Sequence, residues 1–351
     1  MHLVEILQRR GTTCAGVYLA VTRRCPLACA HCCTDSNPSS EEHEDNLFTD
    51  FVGTFTSADR PDIVFITGGE ALVRPRLVSE LAAKAQSVGG QVVLGTGMFF
   101  ARAKELPEPI ATALESVDHI VVSMDFHHES QVPKLQTFAA MRKLLDRGKH
   151  LSVQLTRRSL RDEYADDIVK ELRSTFSDRV PVLIGNLNSL GRGADLLELS
   201  KADLCDGPEP CAYATWPVVS YDGTIVACCN QLNMNGPVPR HLYIGHVKTD
   251  SWATVLEKLK SDILLNAIRV YGPRFIASKY SEKKRCSSDY CDTCRGLGKN
   301  RENLSHSLQE AHPGMLLQHL SDYIGHVRGQ QYQSFSAEDS GSLLELGRPS
   351  S

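Results

Sequence analysis

The chain has 351 residues, of which 42% are hydrophobic and 23% are charged. This length allows one large domain, or one domain with an appendage, and the hydrophobic share is sufficient for a buried core. The formal net charge of −4 argues against a partner such as nucleic acid that is bound mainly by charge. The sequence has no run of about eighteen apolar residues, so we expect no spanning helix and no membrane partner. Because the N-terminus lacks the pattern of a signal peptide, we expect a cytoplasmic protein.

The twelve cysteines form two groups on either side of a cysteine-free middle. The first group ends at Cys33 and the second begins at Cys205. In a reducing cytoplasm such thiols are more often metal ligands or catalysts than disulfides. The grouping therefore predicts one metal site near the N-terminus and another in a C-terminal appendage.

Short β-rich runs alternate with helical patterns between residues 16 and 190. The predicted strands are Val17–Val21, Ile63–Thr67, Gln91–Leu94, His119–Ser123, His150–Leu155 and Val180–Ile184. The predicted helices among them are Leu77–Val88, Ile110–Val117, Leu135–Asp146 and Ala165–Phe176. Such alternation is typical of right-handed parallel βαβ units. Six units do not easily close the usual eight-stranded barrel, so we expect an α/β fold with an open, partial (β/α)6 barrel of the TIM type.

The alternation stops in the last third of the chain. Trp216–Ser220 and Thr224–Ala227, joined by Asp222-Gly223, predict a hairpin, and Trp252–Val270 predicts an amphipathic helix. We expect four regions: a barrel over 1–198, a small cysteine-rich domain over 199–300, a helical segment over 301–328 that is broken near Pro313, and a disordered tail over 329–351 that is rich in Ser, Gln and Gly.

Cys25, Cys29 and Cys32 follow the first predicted strand with the spacing C-x3-C-x2-C. Three thiolates in one loop suit an iron–sulfur cluster, and three ligands leave one iron free to bind a small molecule. Zinc is the alternative metal, and His31 or Cys33 would then supply a fourth ligand.

The segment VTRRCPLACAHC, residues 21–32, resembles the signature loop of the radical S-adenosylmethionine (radical SAM) enzymes. The resemblance implies that the three cysteines hold a [4Fe–4S] cluster at the mouth of a partial barrel, with S-adenosylmethionine (SAM) on the open iron. It also implies reductive cleavage of SAM to a 5′-deoxyadenosyl radical, which abstracts hydrogen from the substrate. An electron donor such as a flavodoxin or a ferredoxin is then an expected partner.

Later segments carry the same resemblance in the same order along the chain. Gly68, Gly69 and Glu70 follow the second predicted strand and resemble the family's GGE motif, which meets the SAM ammonium group. The other residues that resemble SAM contacts are Thr96, Ser123, Asp125, Gln154, Asn186 and Arg192. Parallel α/β barrels place their chemistry at the carboxyl ends of their strands. Ordinary turns and solvated loops are the alternative, also for His127–Glu129, which could contact substrate or move protons.

The second cysteine group resembles the SPASM and twitch appendages of radical SAM enzymes, which carry auxiliary [4Fe–4S] clusters. Cys211 is followed by eleven residues, Gly223, four residues and Cys228, and a CxxC turn comes later. The resemblance implies at least one auxiliary cluster, with the ligands Cys211, Cys228, Cys291 and Cys294. Cys205 or Cys286 could replace one of these four or ligate a second, incomplete cluster. Cys229 would point away from Cys228 in a regular strand, and zinc on four thiolates is the alternative.

Three functions are compatible with these patterns. The first is a radical SAM enzyme that modifies a peptide by oxidation, crosslinking or epimerisation, with the auxiliary cluster as electron acceptor or relay. The second is a radical SAM dehydrogenase or epimerase of a small molecule such as an aminosugar. The third is a zinc-binding protein without catalysis. Only about sixteen residues precede the first strand, so we expect a peptide leader to be recognised by a separate protein or by the C-terminal helices.

Overall fold

The computed structural model describes residues 1–159, 161–187, 190–196, 207–281, 289–312, 315–337 and 339–348. Within these ranges nine strands form one sheet. The strands are β1 (Gly16–Ala20), β2 (Ile63–Thr67), β3 (Gln91–Thr96), β4 (His119–Ser123), β5 (Leu151–Arg157), β6 (Val182–Asn186), β7 (Val218–Val219), β8 (Thr224–Val226) and β9 (Tyr243–His246). Their order across the sheet is β6-β5-β4-β3-β2-β1-β7-β8-β9.

The first six strands form the parallel part of the sheet, and each pairs with its neighbour in chain order. In the described ranges β6 lies at one edge, whereas the other side of β1 pairs with β7. The six parallel strands therefore do not close on themselves, and the prediction of an open, partial barrel is confirmed. Buried aliphatic residues fill these strands, as in Val17, Val64 and Val92, because the sheet is covered on both faces.

Helices cover the sheet and form most of the C-terminal part. The described helices are α1 (Leu3–Arg10), α2 (Asn46–Val52), α3 (Pro75–Ser87), α4 (Glu108–Ser116), α5 (Phe126–Glu129), α6 (Lys134–Asp146), α7 (Glu163–Phe176), α8 (Trp252–Ser261), α9 (Ile263–Tyr271), α10 (Pro273–Tyr280), α11 (Tyr290–Leu297), α12 (Arg301–Ala311) and α13 (Leu316–Gln330). None of them is long and apolar enough to cross a bilayer.

The predicted helix over Trp252–Val270 is in fact two helices, α8 and α9. Asp262 stands between them with extended backbone, and its side chain accepts a hydrogen bond from the Leu265 N–H at 2.9 Å. This cap starts a new helix, which a pattern of apolar residues alone does not reveal. The predicted break near Pro313 falls between α12 and α13, although residues 313–314 themselves lie outside the described ranges.

The predicted hairpin extends the barrel sheet. β7 pairs in parallel with β1, and β8 is antiparallel to both β7 and β9. Gly223 in the turn has a φ of +90°, a conformation that favours glycine. The cysteine-rich part is therefore anchored beside β1, the strand that leads into the first cysteine group. The predicted boundary at residues 198–199 lies outside the described residues.

The C-terminal tail is not disordered over its described part, contrary to the prediction. Tyr332–Phe335 and Gly341–Glu345 form 3-10 turns, and Leu344 packs in one cluster with apolar side chains of α1. The Ala337 N–H donates to the Ile184 carbonyl oxygen of β6 at 2.8 Å. The tail therefore covers the exposed edge of the sheet, and this tertiary role outweighs its polar composition.

We expect Leu344→Ala to lower the free energy of unfolding by about 2–5 kcal/mol, because it leaves a cavity under the tail. Leu344 is fully buried, whereas Leu135 is 78% exposed. Leu135→Ala is therefore the matched control and should change the free energy by less than about 0.5 kcal/mol. Urea unfolding of both variants measures the difference. Equal, small effects would show that the tail does not pack on α1.

Candidate functional site

The loop after β1 is joined to the end of β2 by close backbone contacts. The Gly69 N–H donates to the Thr22 carbonyl oxygen at 2.7 Å, and the Glu70 N–H donates to the Arg24 carbonyl oxygen at 2.9 Å. A Cβ atom at Gly68 would lie 2.4 Å from the Thr22 oxygen. Only glycine permits this approach, so the two glycines fix the start of the cysteine loop against the sheet.

Cys25, Cys29 and Cys32 come together in this loop. Cys29 is buried and the other two are half-buried. The Cys32 N–H donates to the Cys29 carbonyl oxygen at 3.2 Å, which turns the loop back on itself. Burial, together with the nearby Glu70 carboxylate and the other two thiols, raises the pKa of Cys25 to about 12. The three thiols therefore share one site, in which a positive metal centre would stabilise their thiolate forms.

Glu70 is buried between the cysteine loop and the end of β3. Its carboxylate accepts hydrogen bonds from the Leu72 N–H at 3.1 Å, the Thr96 hydroxyl at 3.0 Å and the Gly97 N–H at 2.8 Å. Burial raises the pKa of Glu70, although these hydrogen bonds oppose that effect. Two predicted SAM contacts, Glu70 and Thr96, thus bind each other. Three of about four acceptor positions on the carboxylate are used, which leaves one for a ligand.

Asp125 begins α5 and binds two histidines. Its Oδ1 accepts hydrogen bonds from the N–H groups of His127 and His128, and its Oδ2 lies 2.8 Å from His128 Nδ1 and 3.2 Å from His31 Nε2. Burial alone would raise the pKa of Asp125, but the hydrogen bonds from His128 and His31 outweigh it and hold the pKa far below its ordinary value. The Asp125 carboxylate thus contacts two imidazoles, and its predicted role toward SAM stays a prediction.

His128 connects Asp125 to the cysteine loop. Burial would lower the pKa of His128, but hydrogen bonds with Asp125 and with the Cys29 thiol raise it to about 10. The imidazole therefore carries a proton near neutral pH, with Nδ1 toward the carboxylate. A charged donor beside a thiol stabilises the thiolate. The ligand atoms of His31, Asp125 and His128 lie within 4.8 Å of one another, so this group could also hold a metal ion.

Arg192 supports the cysteine loop from the opposite side. Its guanidinium donates to the Cys29 carbonyl oxygen at 3.1 Å, to Asp35 at 2.8 Å and to the Ser36 carbonyl oxygen at 3.0 Å. The Arg192 N–H also donates to the Cys32 carbonyl oxygen at 3.0 Å. These donors fix the position of the loop, and the contact of Arg192 with the SAM carboxylate that the resemblance implies stays a prediction.

The other three predicted SAM contacts lie on β4, β5 and β6. Ser123 ends β4 and is half-buried, while Gln154 is exposed in the middle of β5. Asn186 ends β6 and accepts a hydrogen bond from Arg157 Nε at 2.7 Å. None of the three meets the cysteine loop through a hydrogen bond between described residues, and their role toward SAM stays a prediction.

The second cysteine group is also brought together by the fold. Five cysteines lie close together, and this proximity contributes to the raised pKa values of Cys228, Cys229, Cys291 and Cys294 beside Cys211. Burial is the larger cause and raises the pKa of Cys291 to about 11. Cys229 shares the site with Cys228 because both follow the last residue of β8, where the alternation of a strand no longer applies. Cys205 and Cys286 lie outside the described residues.

The two cysteine groups are neighbours. Burial, together with the neighbouring thiols of Cys32 in the first group and Cys229 in the second, raises the pKa of Cys33 to about 12. The Asn235 side-chain amide donates to the Thr34 carbonyl oxygen at 3.0 Å, which joins the appendage to the end of the cysteine loop. The pairing of β7 with β1 explains this proximity.

Comparison with known proteins agrees with this arrangement. No protein-family profile matches the chain. The chain is 19% identical over 308 residues to YydG of Bacillus subtilis (strain 168), described as a "Putative peptide biosynthesis protein", and the match covers 83% of this chain and 94% of YydG. Two crystal structures of Streptococcus suis SuiB share the fold at 14% identity. SuiB bound to the precursor peptide SuiA has a TM-score of 0.52 and matches 77% of this chain and 70% of SuiB. SuiB bound to S-adenosylmethionine has a TM-score of 0.51 and matches 76% of this chain and 71% of SuiB.

The architecture is therefore that of an α/β protein with an open parallel sheet and two adjacent cysteine sites at one end. The cysteine loop and the GGE segment lie together at this end of the sheet, and the chain is similar in sequence to YydG and in fold to SuiB.

Sequence reasoning missed the partners of the site residues. It noted His127 and His128, but it assigned no role to His31 beyond a possible zinc ligand. Asp125 and His31 stand 94 positions apart in the sequence, and the ion pair between them depends on the sheet. The one local signal is the Asp-x-x-His spacing of Asp125 and His128, which suits a capped first turn of a helix.

We expect Asp125→Asn to lower the free energy of unfolding of the metal-free protein by roughly 3–5 kcal/mol near pH 6, because it leaves the charged His128 without its carboxylate. The folded pKa of His128 is raised from 6.5 to about 10, so the stabilisation is complete below pH 6.5 and is lost as the pH rises toward 10. The difference from wild type should therefore shrink between these pH values in urea unfolding. Asp167→Asn, at an exposed ion pair, is the control and should show little effect. A pH-independent loss in the Asp125 variant would contradict the assigned ion pair.

Proposed function

We propose that this enzyme holds a [4Fe–4S] cluster on Cys25, Cys29 and Cys32, binds SAM beside it and modifies a peptide during natural-product maturation. The observation that carries the proposal is the convergence of these three thiols at the mouth of an open parallel sheet. When bound, the cluster and SAM supply the 5′-deoxyadenosyl radical by which this class abstracts hydrogen from its substrates.

The residues around the first site have separate tasks in this proposal. Glu70 offers its remaining acceptor position to the SAM ammonium group, in line with the GGE resemblance. His128 donates to the Cys29 sulfur, and Arg192 keeps the loop in one conformation. The strands β4, β5 and β6 face the bound nucleoside in this proposal and carry Ser123, Gln154 and Asn186. The site thus needs little rearrangement to receive its cofactors.

The relatives support a peptide as the substrate. YydG is described as a peptide biosynthesis protein, and SuiB was crystallised with a precursor peptide and with S-adenosylmethionine. We therefore favour oxidation, crosslinking or epimerisation of a peptide over the modification of a small molecule such as an aminosugar. The electron that starts the reaction comes from a donor such as a flavodoxin or a ferredoxin, in a reducing compartment such as the cytoplasm.

The second cysteine group holds an auxiliary [4Fe–4S] cluster in this proposal. The expected ligands are Cys211, Cys228, Cys291 and Cys294. With every iron bound to a protein thiolate, no iron remains for direct binding of substrate, so the cluster acts as an electron acceptor or relay. Replacement of one ligand by Cys205 or Cys286 is compatible with the same role.

We expect Cys25→Ala, Cys29→Ala and Cys32→Ala each to abolish the cleavage of SAM, since each removes a ligand of the first cluster. Cys291→Ala should retain cleavage but form no modified peptide. The measurement is 5′-deoxyadenosine and peptide mass after anaerobic incubation with SAM, dithionite and the candidate precursor. Cys14→Ala, at a buried thiol that is not an expected ligand of either cluster, is the control.

Two results would refute the proposal. One is wild-type protein that carries a full complement of iron and sulfide but produces no 5′-deoxyadenosine. The other is cleavage that survives in all three variants of the first group. If SAM is cleaved but no peptide is modified while a small molecule is, the radical SAM assignment holds and the peptide substrate is wrong.

A further inference from the structure

Arg10, the last residue of α1, is a buried cation without a carboxylate partner among the described residues. Its side chain is buried, and no described Asp or Glu oxygen lies within 4.0 Å of its guanidinium. The Nη1 atom donates to the Thr215 hydroxyl at 2.7 Å. Burying an uncompensated charge is costly, so a guanidinium in this position indicates an anion nearby.

Aromatic rings hold the Arg10 guanidinium in place. It lies 5.3 Å from the ring centre of Tyr18, 5.1 Å from that of Trp216 and 5.8 Å from that of Tyr213. Such contacts orient a guanidinium, but they do not neutralise it. The remaining Nη2 atom points at the Cys229 sulfur, 4.0 Å away. The side chain is thus fixed with one donor directed at the second cysteine group.

Arg269 shows how this protein otherwise accommodates a buried guanidinium. It too is fully buried, and it donates to the carbonyl oxygens of Ala214 at 2.7 Å and Leu259 at 2.9 Å and to the Asn266 side chain at 2.9 Å. These neutral oxygens distribute the charge over several hydrogen bonds. Arg10 meets no described carbonyl or amide oxygen in this way: its polar neighbours are the hydroxyls of Thr215 and Tyr18 and the Cys229 thiol, and this difference marks it as a partner of a charged group.

We propose that Arg10 is the buried counter-charge of the auxiliary cluster and raises the reduction potential of that cluster. This inference rests on the proposed function, because it requires a cluster in the second cysteine group. Four thiolates around a [4Fe–4S] core give the site a net negative charge, and adding one electron makes it more negative still. A fixed cation in a poorly solvated position stabilises the reduced form, as do hydrogen bonds to the sulfurs.

The consequence is a direction for electron flow. A raised potential favours the cluster as the acceptor of one electron over its use as the donor that starts the reaction. The contact is also specific to this group, since Arg10 faces Cys229, next to the expected ligand Cys228, whereas the first cluster has His128 beside Cys29. The Asp125 carboxylate compensates the charge of His128, whereas Arg10 has no carboxylate partner among the described residues, so we expect the auxiliary cluster to have the higher potential.

The test is a redox titration, followed by electron paramagnetic resonance, of anaerobically reconstituted protein in which Cys25, Cys29 and Cys32 are Ala, so that only the second cluster contributes. Arg10→Gln should shift the midpoint potential to a lower value, whereas Arg10→Lys should keep it near that of the parent. Arg9→Gln is the matched control, because Arg9 lies on the same helix with a side chain that is 40% exposed. It should leave the midpoint potential unchanged.

Iron and sulfide content and the thermal midpoint of unfolding are recorded for each variant. Loss of the second cluster in Arg10→Gln but not in Arg10→Lys would also support the counter-charge, since the cluster would then need the cation for retention. An unshifted potential in Arg10→Gln overturns the proposal, as does an equal shift or an equal loss of cluster in Arg10→Lys. A parent protein without any second cluster refutes the auxiliary-cluster part of the proposed function, and the role of Arg10 with it.

Discussion

The structure depends on the close approach between the loop after β1 and the end of β2. Gly68 and Gly69 let the backbone of β2 come within hydrogen-bond distance of the residues just before Cys25. Glu70 then ties this junction to the end of β3, and Arg192 holds the far side of the loop. A loop with three cysteines has many conformations, and these contacts remove most of them before any metal binds.

Charge is the second constraint on the site. Both cysteine groups bury several thiols that oppose one another's ionisation. Such an arrangement is stable with thiolates only if positive charge is supplied, and metal ions supply most of it. The protein adds one fixed cation to each site, His128 beside Cys29 and Arg10 beside Cys229. The two cations are different in kind, because one is paired with a carboxylate and the other is not.

The features that sequence could predict are those encoded over short distances. The strands Ile63–Thr67 and His119–Ser123 agree with β2 and β4 because a buried parallel strand is a continuous run of apolar residues. The cysteine triad and the GGE segment are equally local. The prediction of a disordered tail was wrong because the few apolar residues of the tail, such as Leu344, pack against α1, at the other end of the chain. The partners of Asp125 and Cys229 escaped notice for the same reason.

The topology of the sheet determines which of the locally encoded segments become neighbours. A hairpin placed elsewhere would hold its cysteines far from the first group, and the appendage would then be a separate module. Here β7 pairs with Tyr18 and Leu19 of β1, so one strand leads into the first cysteine group and also supports the second. Cys33 lies between Cys32 of the first group and Cys229 of the second. The short separation between the two cysteine groups is therefore a property of the sheet.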